Sequence, residues 1–363
     1  MPTRRRALAL LAGSATALAL AAAPPALAHD RPFGRHGSPA RRRDRATLYV
    51  DAHGRGDHTT VQAAVDAATG TGHTLVIAPG TYRETVDIPA GRTGLTLIGA
   101  SGDPRDTVIV YDNANGTPRP DGSGTYGTSG SATVTARPAG LTARDLTFAN
   151  DWLRADHPDY AGTQAVAVKV TGDRSAFFGC RFLGHQDTLY ADSASLTDFA
   201  RQYYRDCYVE GDVDFVFGRA SAVLDRCHFR TLTRTDLAAP PYGFVFAPST
   251  AGADPHGFLV LRSRVTGTAP DGYVKLARPW VPSSDLTAHP MLTVRDSHLG
   301  AGIDTDEPYG TMSAGFPWQD QRFAEYRNTG PGARVTVPAN RPQLTRAEAR
   351  DHTPAAWFGE WRP

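Results

Sequence analysis

The apolar residues of this chain fall in short runs of about five positions rather than in long stretches with helical spacing. The runs are rich in Val, Phe, Tyr and Thr, and turns containing many of the 36 Gly and 27 Pro separate them. Short runs of this kind bounded by Gly and Pro predict β-strands joined by tight turns. A single segment, residues 59–68, has helical spacing of its apolar positions with a Thr at its start, which predicts one helix.

The runs also form an internal repeat. Six ten-residue copies begin at positions 141, 176, 203, 223, 259 and 292. A second row of strands is predicted between them, at residues 164–168, 186–190, 213–217, 242–246 and 272–276. The copies share one position, which lies at intervals of 35, 27, 20, 36 and 34 residues, as expected for solenoid coils with turns of variable length. That shared position is occupied by Asp145, Cys180, Cys207, Cys227, Ser263 and Ser297.

Two rows of strands in a repeating chain predict an all-β fold, a right-handed parallel β-helix. We expect the helix at residues 59–68 to cap the N-terminal end of this solenoid, because an open strand edge invites aggregation. A β-sandwich also explains short strands, but it does not explain why carboxylates recur in the register of the repeat.

The N-terminal residues 1–28 are predicted to be an export signal. Three arginines, residues 4–6, precede an apolar run, and Ala26-Leu27-Ala28 is a small-residue cleavage site. The clustered arginines are typical of the twin-arginine route. A membrane anchor is disfavoured because the apolar run is short and ends at Pro24 and Pro25. Residues 29–46 contain six Arg and predict a disordered basic arm, followed by one domain at 47–363.

Charge and cysteine content exclude several kinds of protein. The formal net charge is +1, and because the first 46 residues carry +7, residues 47–363 carry −6, which argues against a nucleic-acid-binding surface. The three cysteines occupy the shared repeat position, so we expect buried thiols. One disulfide between two of them is the alternative, because an exported protein meets an oxidising environment. Without a CxxC or His-rich spacing, we expect no metal and no cofactor.

Two segments of the repeat, residues 179–187 and 206–214, end in a carboxylate seven residues after the cysteine. If they form successive coils, Asp187 and Asp214 lie one above the other, about 4.8 Å apart. Two carboxylates at that spacing do not both ionise freely, so the pKa of one is expected to rise while that of the other stays low. This predicts an acid and a nucleophile made from one residue type.

Three further polar residues are expected near this pair. Gln164 and Gln186 are predicted to occupy the same place on successive coils, where amide donors suit a developing oxyanion. Arg278 is expected to pair bidentately with a carboxylate and lower its pKa. A structural Gln ladder and a plain salt bridge remain the alternatives for these residues.

Several stretches of the chain resemble the pectinesterase (pectin methylesterase) family, from about Tyr49 to Ala355. The stretches are GTSGSATV at 127–134, QAVAV at 164–168, GHQDTLY at 184–190, DVDFVFGRA at 212–220, LARPW at 276–280 and FAEYRNTGPGA at 323–333. The resemblance implies a β-helix enzyme that hydrolyses methyl esters of homogalacturonan and releases methanol without a metal. It also implies pectin as the partner, with no nucleic acid and no membrane, and we expect a monomer.

By the same resemblance, Asp214 is the nucleophile and Asp187 is the general acid and then the general base. Gln164 and Gln186 stabilise the oxyanion, and Arg278 holds Asp214. The residues implied to bind substrate are Thr128, Gln164, Tyr190, Val213, Phe217, Arg278 and Trp280, the last by stacking on a sugar ring.

The chain departs from the family pattern in three places. His185 stands where the family often has Tyr, Ala277 stands where it usually has Gly, and an extra turn at residues 193–199 separates the two aspartates. Two other functions stay open: a β-helix enzyme that cleaves polygalacturonate, which also uses carboxylates, and a family member that acts on a different acyl ester.

Overall fold

The computed structural model of the chain describes residues 46–363. The predicted export signal, and the predicted basic arm except for Ala46, lie outside the described residues. Within the described part, no helix has the length and apolar character needed to cross a membrane.

The described chain consists almost wholly of short strands. Its helices are α1 (Val61–Ala67), α2 (Gly127–Gly130) and α3 (Pro354–Phe358), with short 3-10 segments at Arg154–Asp156, Trp318–Asp320, Pro331–Ala333, Pro338–Asn340 and Glu348–Arg350. The strands are β1 (Thr47–Val50), β2 (Thr74–Ile77), β3 (Gly80–Arg83), β4 (Val86–Ile88), β5 (Thr96–Gly99), β6 (Thr107–Tyr111), β7 (Val134–Ala136), β8 (Thr142–Arg144), β9 (Thr147–Asn150), β10 (Val168–Val170), β11 (Ser175–Phe178), β12 (Arg181–Leu183), β13 (Leu189–Ala191), β14 (Arg201–Arg205), β15 (Tyr208–Gly211), β16 (Val213–Gly218), β17 (Ser221–Asp225), β18 (His228–Thr231), β19 (Gly243–Pro248), β20 (Phe258–Leu261), β21 (Arg264–Gly267), β22 (Val274–Ala277), β23 (Met291–Arg295), β24 (His298–Leu299) and β25 (Arg322–Tyr326).

The strands form three parallel sheets. Sheet A has the order β1-β2-β5-β8-β11-β14-β17-β20-β23-β25, sheet B the order β24-β21-β18-β15-β12-β9-β6-β3, and sheet C the order β22-β19-β16-β13-β10-β7-β4. From β2 to β24, successive strands visit A, B and C in turn, so the chain is the predicted right-handed parallel β-helix. The parallel pairing excludes the sandwich. The expectation of two rows of strands was wrong. Each ten-residue copy holds two strands, one in sheet A and one in sheet B.

A single residue in the left-handed conformation turns the chain from sheet A to sheet B. Asp145, Gly179 and Asp206 occupy this corner on successive coils, with φ of 55°, 60° and 55°. Because Arg181 pairs with Thr147, Cys180 is level with Leu146 and not with Asp145, so the predicted register of the first copy was one residue out. The other shared positions hold, since Cys180, Cys207, Cys227, Ser263 and Ser297 follow the observed strand pairing.

Side chains that point inward from the coils stack along the solenoid axis. The ring of Phe177 stacks on Tyr204 at 5.0 Å, and Phe148 stacks on Phe182 at 5.6 Å. The three cysteines are buried in the same core as free thiols. Burial raises the pKa of Cys180 and of Cys207 well above the ordinary thiol range, so these thiols are structural.

Helix α1 caps the N-terminal end as predicted, although it is shorter than residues 59–68. The hydroxyl of Thr60 accepts from the Ala63 N–H at 3.2 Å, and the Glu84 carboxylate accepts from the first helical N–H groups at 2.8 and 2.9 Å. Val61 and Val65 are fully buried, and the helix packs against β1, β2 and β4. The first coil is therefore covered by apolar side chains.

Candidate active site

The two predicted carboxylates lie on neighbouring coils at the start of sheet C. Asp187 precedes β13, and Asp214 is the second residue of β16. The pairing of Leu189 with Val216 places Asp187 level with Asp214, and the Asp187 N–H donates to the Val213 carbonyl at 3.0 Å. The prediction that these aspartates stack is confirmed.

Both aspartates adopt a backbone conformation that is unusual for a strand. Their φ angles are 67° at Asp187 and 50° at Asp214. At Asp214 the register of β16 against β19 shifts between Val213 and Val216, which is a β-bulge. Bulges redirect side chains beside active sites, and a non-Gly residue in this region costs about 1–3 kcal/mol of backbone strain. Asp tolerates the left-handed region better than most residues.

Arg278 follows the last residue of β22 and forms the predicted bidentate pair with Asp214. Its Nε lies 2.9 Å from Oδ1 and its Nη2 lies 2.6 Å from Oδ2. The guanidinium also lies 4.1 Å from the centre of the Phe244 ring, which supports it from one face. The arginine is thus held in place on the Asp214 carboxylate.

The two carboxylates have different electrostatic surroundings. Burial, followed by the charge of Asp214, raises the pKa of Asp187 well above the ordinary carboxyl range. Burial also raises the pKa of Asp214, and the hydrogen bonds and charge of Arg278 oppose that rise. Arg278 therefore lowers the pKa of Asp214 as expected, but desolvation outweighs the ion pair, so the expectation that the pKa of one carboxyl stays low was wrong. Asp214 still ionises first, and Asp187 holds its proton longer.

The two glutamines reach the same pocket, but not from equivalent positions. The Ala165 N–H donates to the Gln186 carbonyl at 3.0 Å, so Ala165 is level with Gln186 and the predicted register was one residue out. The Thr163 hydroxyl donates to Gln186 Oε1 at 2.6 Å, which leaves the NH₂ of Gln186 free to donate elsewhere. Gln164 Oε1 is buried without a hydrogen-bond partner among the described residues.

The carboxylates, glutamines and Arg278 surround a cavity of about 190 Å³. Trp280 lies against Phe217 with ring centres 5.7 Å apart, so one wall is aromatic. Of the predicted substrate-binding residues, Tyr190 stacks behind Phe217 at 4.1 Å, and Val213 lies outside the lining. The complete lining is Thr128, Gln164, Gln186, Asp187, Asp214, Phe217, Ala247, Arg278, Trp280 and Met312.

Sequence reasoning missed four residues here. Met312 and Ala247 line the cavity, and Thr163 orients Gln186. Asn115 donates from Nδ2 to the Thr128 hydroxyl at 3.1 Å, and its backbone N–H donates to the Gln164 carbonyl at 2.7 Å. Asn115 begins an Asn-Gly-Thr triplet, which matches the glycosylation sequon by chance. No spacing in the sequence connects this triplet to the aspartates.

Comparison with known proteins decides the family. The pectinesterase family model matches residues 47–360. The chain belongs to the pectinesterase family. A pectinesterase from Ralstonia solanacearum is 35% identical over 321 residues, which cover 80% of each chain.

Solved structures of the pectinesterase family share the fold. A pectin methylesterase in complex with a hexasaccharide has a TM-score of 0.77 and 29% identity, with 87% of this chain and 97% of that chain covered. Pectin methylesterase from carrot has a TM-score of 0.72 and 31% identity, with 86% and 94% covered.

A larger groove of about 960 Å³ lies next to the candidate pectinesterase pocket, mostly along coils that come earlier in the chain. Tyr190 lines this groove, and its ring is the one that stacks on Phe217 of the pocket. The charged residues of the groove are Asp87, Arg119, Arg137, Lys169, Asp192 and Arg219, so cations outnumber carboxylates there. The negative charge of the domain therefore does not extend to this groove.

Proposed function

We propose that this chain is a carbohydrate esterase that hydrolyses the methyl esters of homogalacturonan in pectin and releases methanol. The observation that supports this most strongly is the unequal carboxylate pair: Asp214 bound to Arg278, and Asp187 without an ion-pair partner among the described residues. Unequal environments divide two carboxylates into a nucleophile and an acid. The hexasaccharide bound to a related pectin methylesterase supports a polysaccharide substrate.

In the proposed first step, ionised Asp214 attacks the C6 carbonyl carbon of an esterified galacturonate. The carbonyl oxygen becomes an oxyanion, which the amides of Gln164 and Gln186 stabilise. The C–OCH₃ bond then breaks, and protonated Asp187 gives its proton to the departing methanol. The product is an acyl-enzyme anhydride at Asp214.

In the second step, the ionised Asp187 accepts a proton from water, whose oxygen attacks the acyl carbon. The bond to Asp214 breaks and leaves a free galacturonic acid, which keeps the second proton of the water and then releases it to solvent. Asp214 is regenerated as a carboxylate held by Arg278, and Asp187 is regenerated in its protonated form. The overall reaction consumes one ester and one water and yields one acid and one methanol.

The aromatic and hydroxyl residues of the pocket suit a sugar chain. Trp280 and Phe217 form an apolar wall against which the carbon faces of a pyranose can stack. Thr128, held by Asn115, presents a hydroxyl at the same cavity. Tyr190 and Val213 support the wall and the Asp214 turn, and direct contact of either with substrate stays a prediction.

The test is hydrolysis of methyl-esterified homogalacturonan by the purified protein, with methanol and chain length measured together. We expect methanol release without chain shortening, and no release by the Asp214→Ala variant. Chain shortening without methanol would replace this function with cleavage of polygalacturonate. An acetylated or feruloylated polysaccharide in the same panel tests the other open alternative, since a faster reaction there would make a different ester the substrate.

We also propose the domain order and location that the sequence predicts. Residues 1–28 direct export, by the twin-arginine route, residues 29–46 form a basic arm, and residues 47–363 form a monomeric secreted enzyme. N-terminal sequencing of the exported protein should begin near His29, and sedimentation should give the mass of one chain. Export that survives replacement of Arg4, Arg5 and Arg6 with Lys would contradict the twin-arginine route.

A further inference from the structure

A third buried carboxylate lies beside the two aspartates of the pocket. Asp212 is the only residue between β15 and β16, two positions before Asp214, and its side chain is 4% exposed. Its Oδ2 lies 3.2 Å from Arg154 Nη1 and 3.4 Å from His185 Nδ1. Asp212 Oδ1 and Arg154 Nη2 are buried without hydrogen-bond partners among the described residues. We call Arg154, His185 and Asp212 the Asp212 cluster.

The backbone holds this cluster against the catalytic turn. The Asp212 N–H donates to the His185 carbonyl at 3.0 Å, and the Phe244 N–H donates to the Asp212 carbonyl at 3.2 Å. Gly243 packs so closely that a Cβ there would lie 1.8 Å from the Asp212 oxygen. His185 precedes Gln186 directly and lies two residues before Asp187. A shift of the cluster would thus move the turns that carry Asp187 and Asp214.

The cluster also acts on the pair through charge. Burial would raise the pKa of Asp212, but the hydrogen bond from His185 and the charge of Arg154 outweigh it and lower that pKa, so Asp212 is ionised. The negative charge of Asp212 also raises the pKa of Asp187 and of Asp214, although it contributes less than burial does. The charge that the cluster presents is therefore felt at both reacting carboxyls.

His185 is the most exposed member of the cluster, and an imidazole carries a positive charge only when it is protonated. Its side chain is a third exposed, at 32%, beside a cavity of about 430 Å³. The other charged groups of that cavity are Arg154 and Asp212, and Arg234 and Asp236, which pair with each other.

We propose that His185 and Asp212 are positioning residues whose charges set the pH range in which the Asp187 and Asp214 pair works. The proposal rests on the roles proposed above for that pair. When His185 is protonated, it offsets the Asp212 charge, and Asp214 stays ionised to lower pH. When His185 is neutral, the Asp212 charge acts more fully, and Asp187 keeps its proton to higher pH.

The test is the pH profile of kcat/KM for methanol release by three variants. His185→Gln should raise the apparent pKa of the acid limb by about half a unit to one unit and leave the basic limb in place. Asp212→Asn should lower both limbs, and Arg154→Gln should raise both. Reduced kcat with unmoved limbs in all variants would mean that the cluster has only a structural role, and would overturn the proposal.

A second measurement separates this proposal from the proposed function. Carboxyl ¹³C NMR of Asp187 and Asp214 reports the same shifts in the free enzyme without any substrate. If the wild type releases no methanol, shifted carboxyl titrations in the variants still support the cluster, and unshifted ones contradict it. If Asp212→Asn or Arg154→Gln does not fold, the His185→Gln titration alone decides, because His185 is the most exposed of the three side chains.

Discussion

Asp214 and Asp206 are the same residue type in nearly the same local geometry, yet they differ in chemistry. Both adopt the left-handed conformation, with φ of 50° and 55°, and both accept a bidentate arginine. Arg226 Nε and Nη2 lie 2.8 and 3.0 Å from Asp206, much as Arg278 lies on Asp214. The Asp206 side chain is 54% exposed, whereas that of Asp214 is 8% exposed.

This difference in burial gives the pKa shifts of Asp206 and Asp214 opposite directions. The hydrogen bond from Arg226 lowers the pKa of Asp206, while burial raises that of Asp214 despite Arg278. The stacked neighbour Asp187, without an ion pair, rises further. Arginine pairing in this fold therefore does not by itself make a carboxylate reactive. Desolvation, together with a second carboxylate stacked beside the first, distinguishes the pocket from the corner.

The largest expected difference between the two regions is in catalysis. Asp214→Ala should abolish methanol release, because it removes the carboxylate that forms the acyl-enzyme. The matched change at the exposed pair, Asp206→Ala, should leave kcat/KM within about twofold, since a surface ion pair contributes little. Initial rates of methanol release measure both. Retained activity in Asp214→Ala would remove Asp214 from the role of nucleophile.

Asp187→Asn should lose most of its catalytic rate but still bind substrate. The amide keeps the shape of the side chain but neither protonates methanol nor activates water, and the loss of one acid-base group costs about 10² to 10⁴ in rate. We expect KM to change little while kcat falls. A variant with normal kcat and raised KM would instead make Asp187 a substrate-binding residue.

Arg278→Gln should shift the pH profile. With the guanidinium gone, burial at Asp214 is unopposed and its pKa rises further, so the acid limb of kcat/KM should move up by about one unit or more. The matched Arg226→Gln variant should leave the limb unmoved, because Asp206 lies outside the pocket. An unmoved limb in Arg278→Gln would show that Asp214 does not set it.

The smallest effects concern stability, and they should have opposite signs. Because the pKa of Asp187 is raised, the native state binds its proton more tightly, and stability is lost as pH rises above the ordinary carboxyl range. Asp187→Asn should therefore raise the free energy of unfolding by roughly 1–2 kcal/mol at pH 7 and leave it nearly unchanged near pH 3.

The pKa of Asp206 is lowered, so its contribution is present above the ordinary carboxyl range and is lost as pH falls. Asp206→Asn should lower stability at pH 7 by no more than about 1 kcal/mol, and less in high salt. Urea unfolding at the two pH values measures both variants. If both variants changed the free energy of unfolding at pH 7 in the same direction, the proposed electrostatic difference between Asp187 and Asp206 would be contradicted.

Much of the fold was predictable because it depends on periodic features of the chain. Residues 141–301 repeat a ten-residue pattern, and the repeat alone predicts the alignment of Asp187 with Asp214 that the strand pairing confirms. The single-residue error at Asp145 has a simple cause. Asp145 occupies the corner position that Gly179 and Asp206 occupy on the next coils, and an Asp there looks like any other Asp in the sequence.

The sequence by itself determined the β-helix, the family, and the residue types of the pocket, because coil repeats and short motifs are local properties of the chain. The tertiary structure alone decided that Met312 lines the pocket and that Thr163 and Asn115 hold residues that line it. It also decided that Asp212 adds a third charge and that the pKa of Asp214 rises rather than falls. These depend on which side chains bury which carboxyl, and burial is a sum over segments far apart in the sequence.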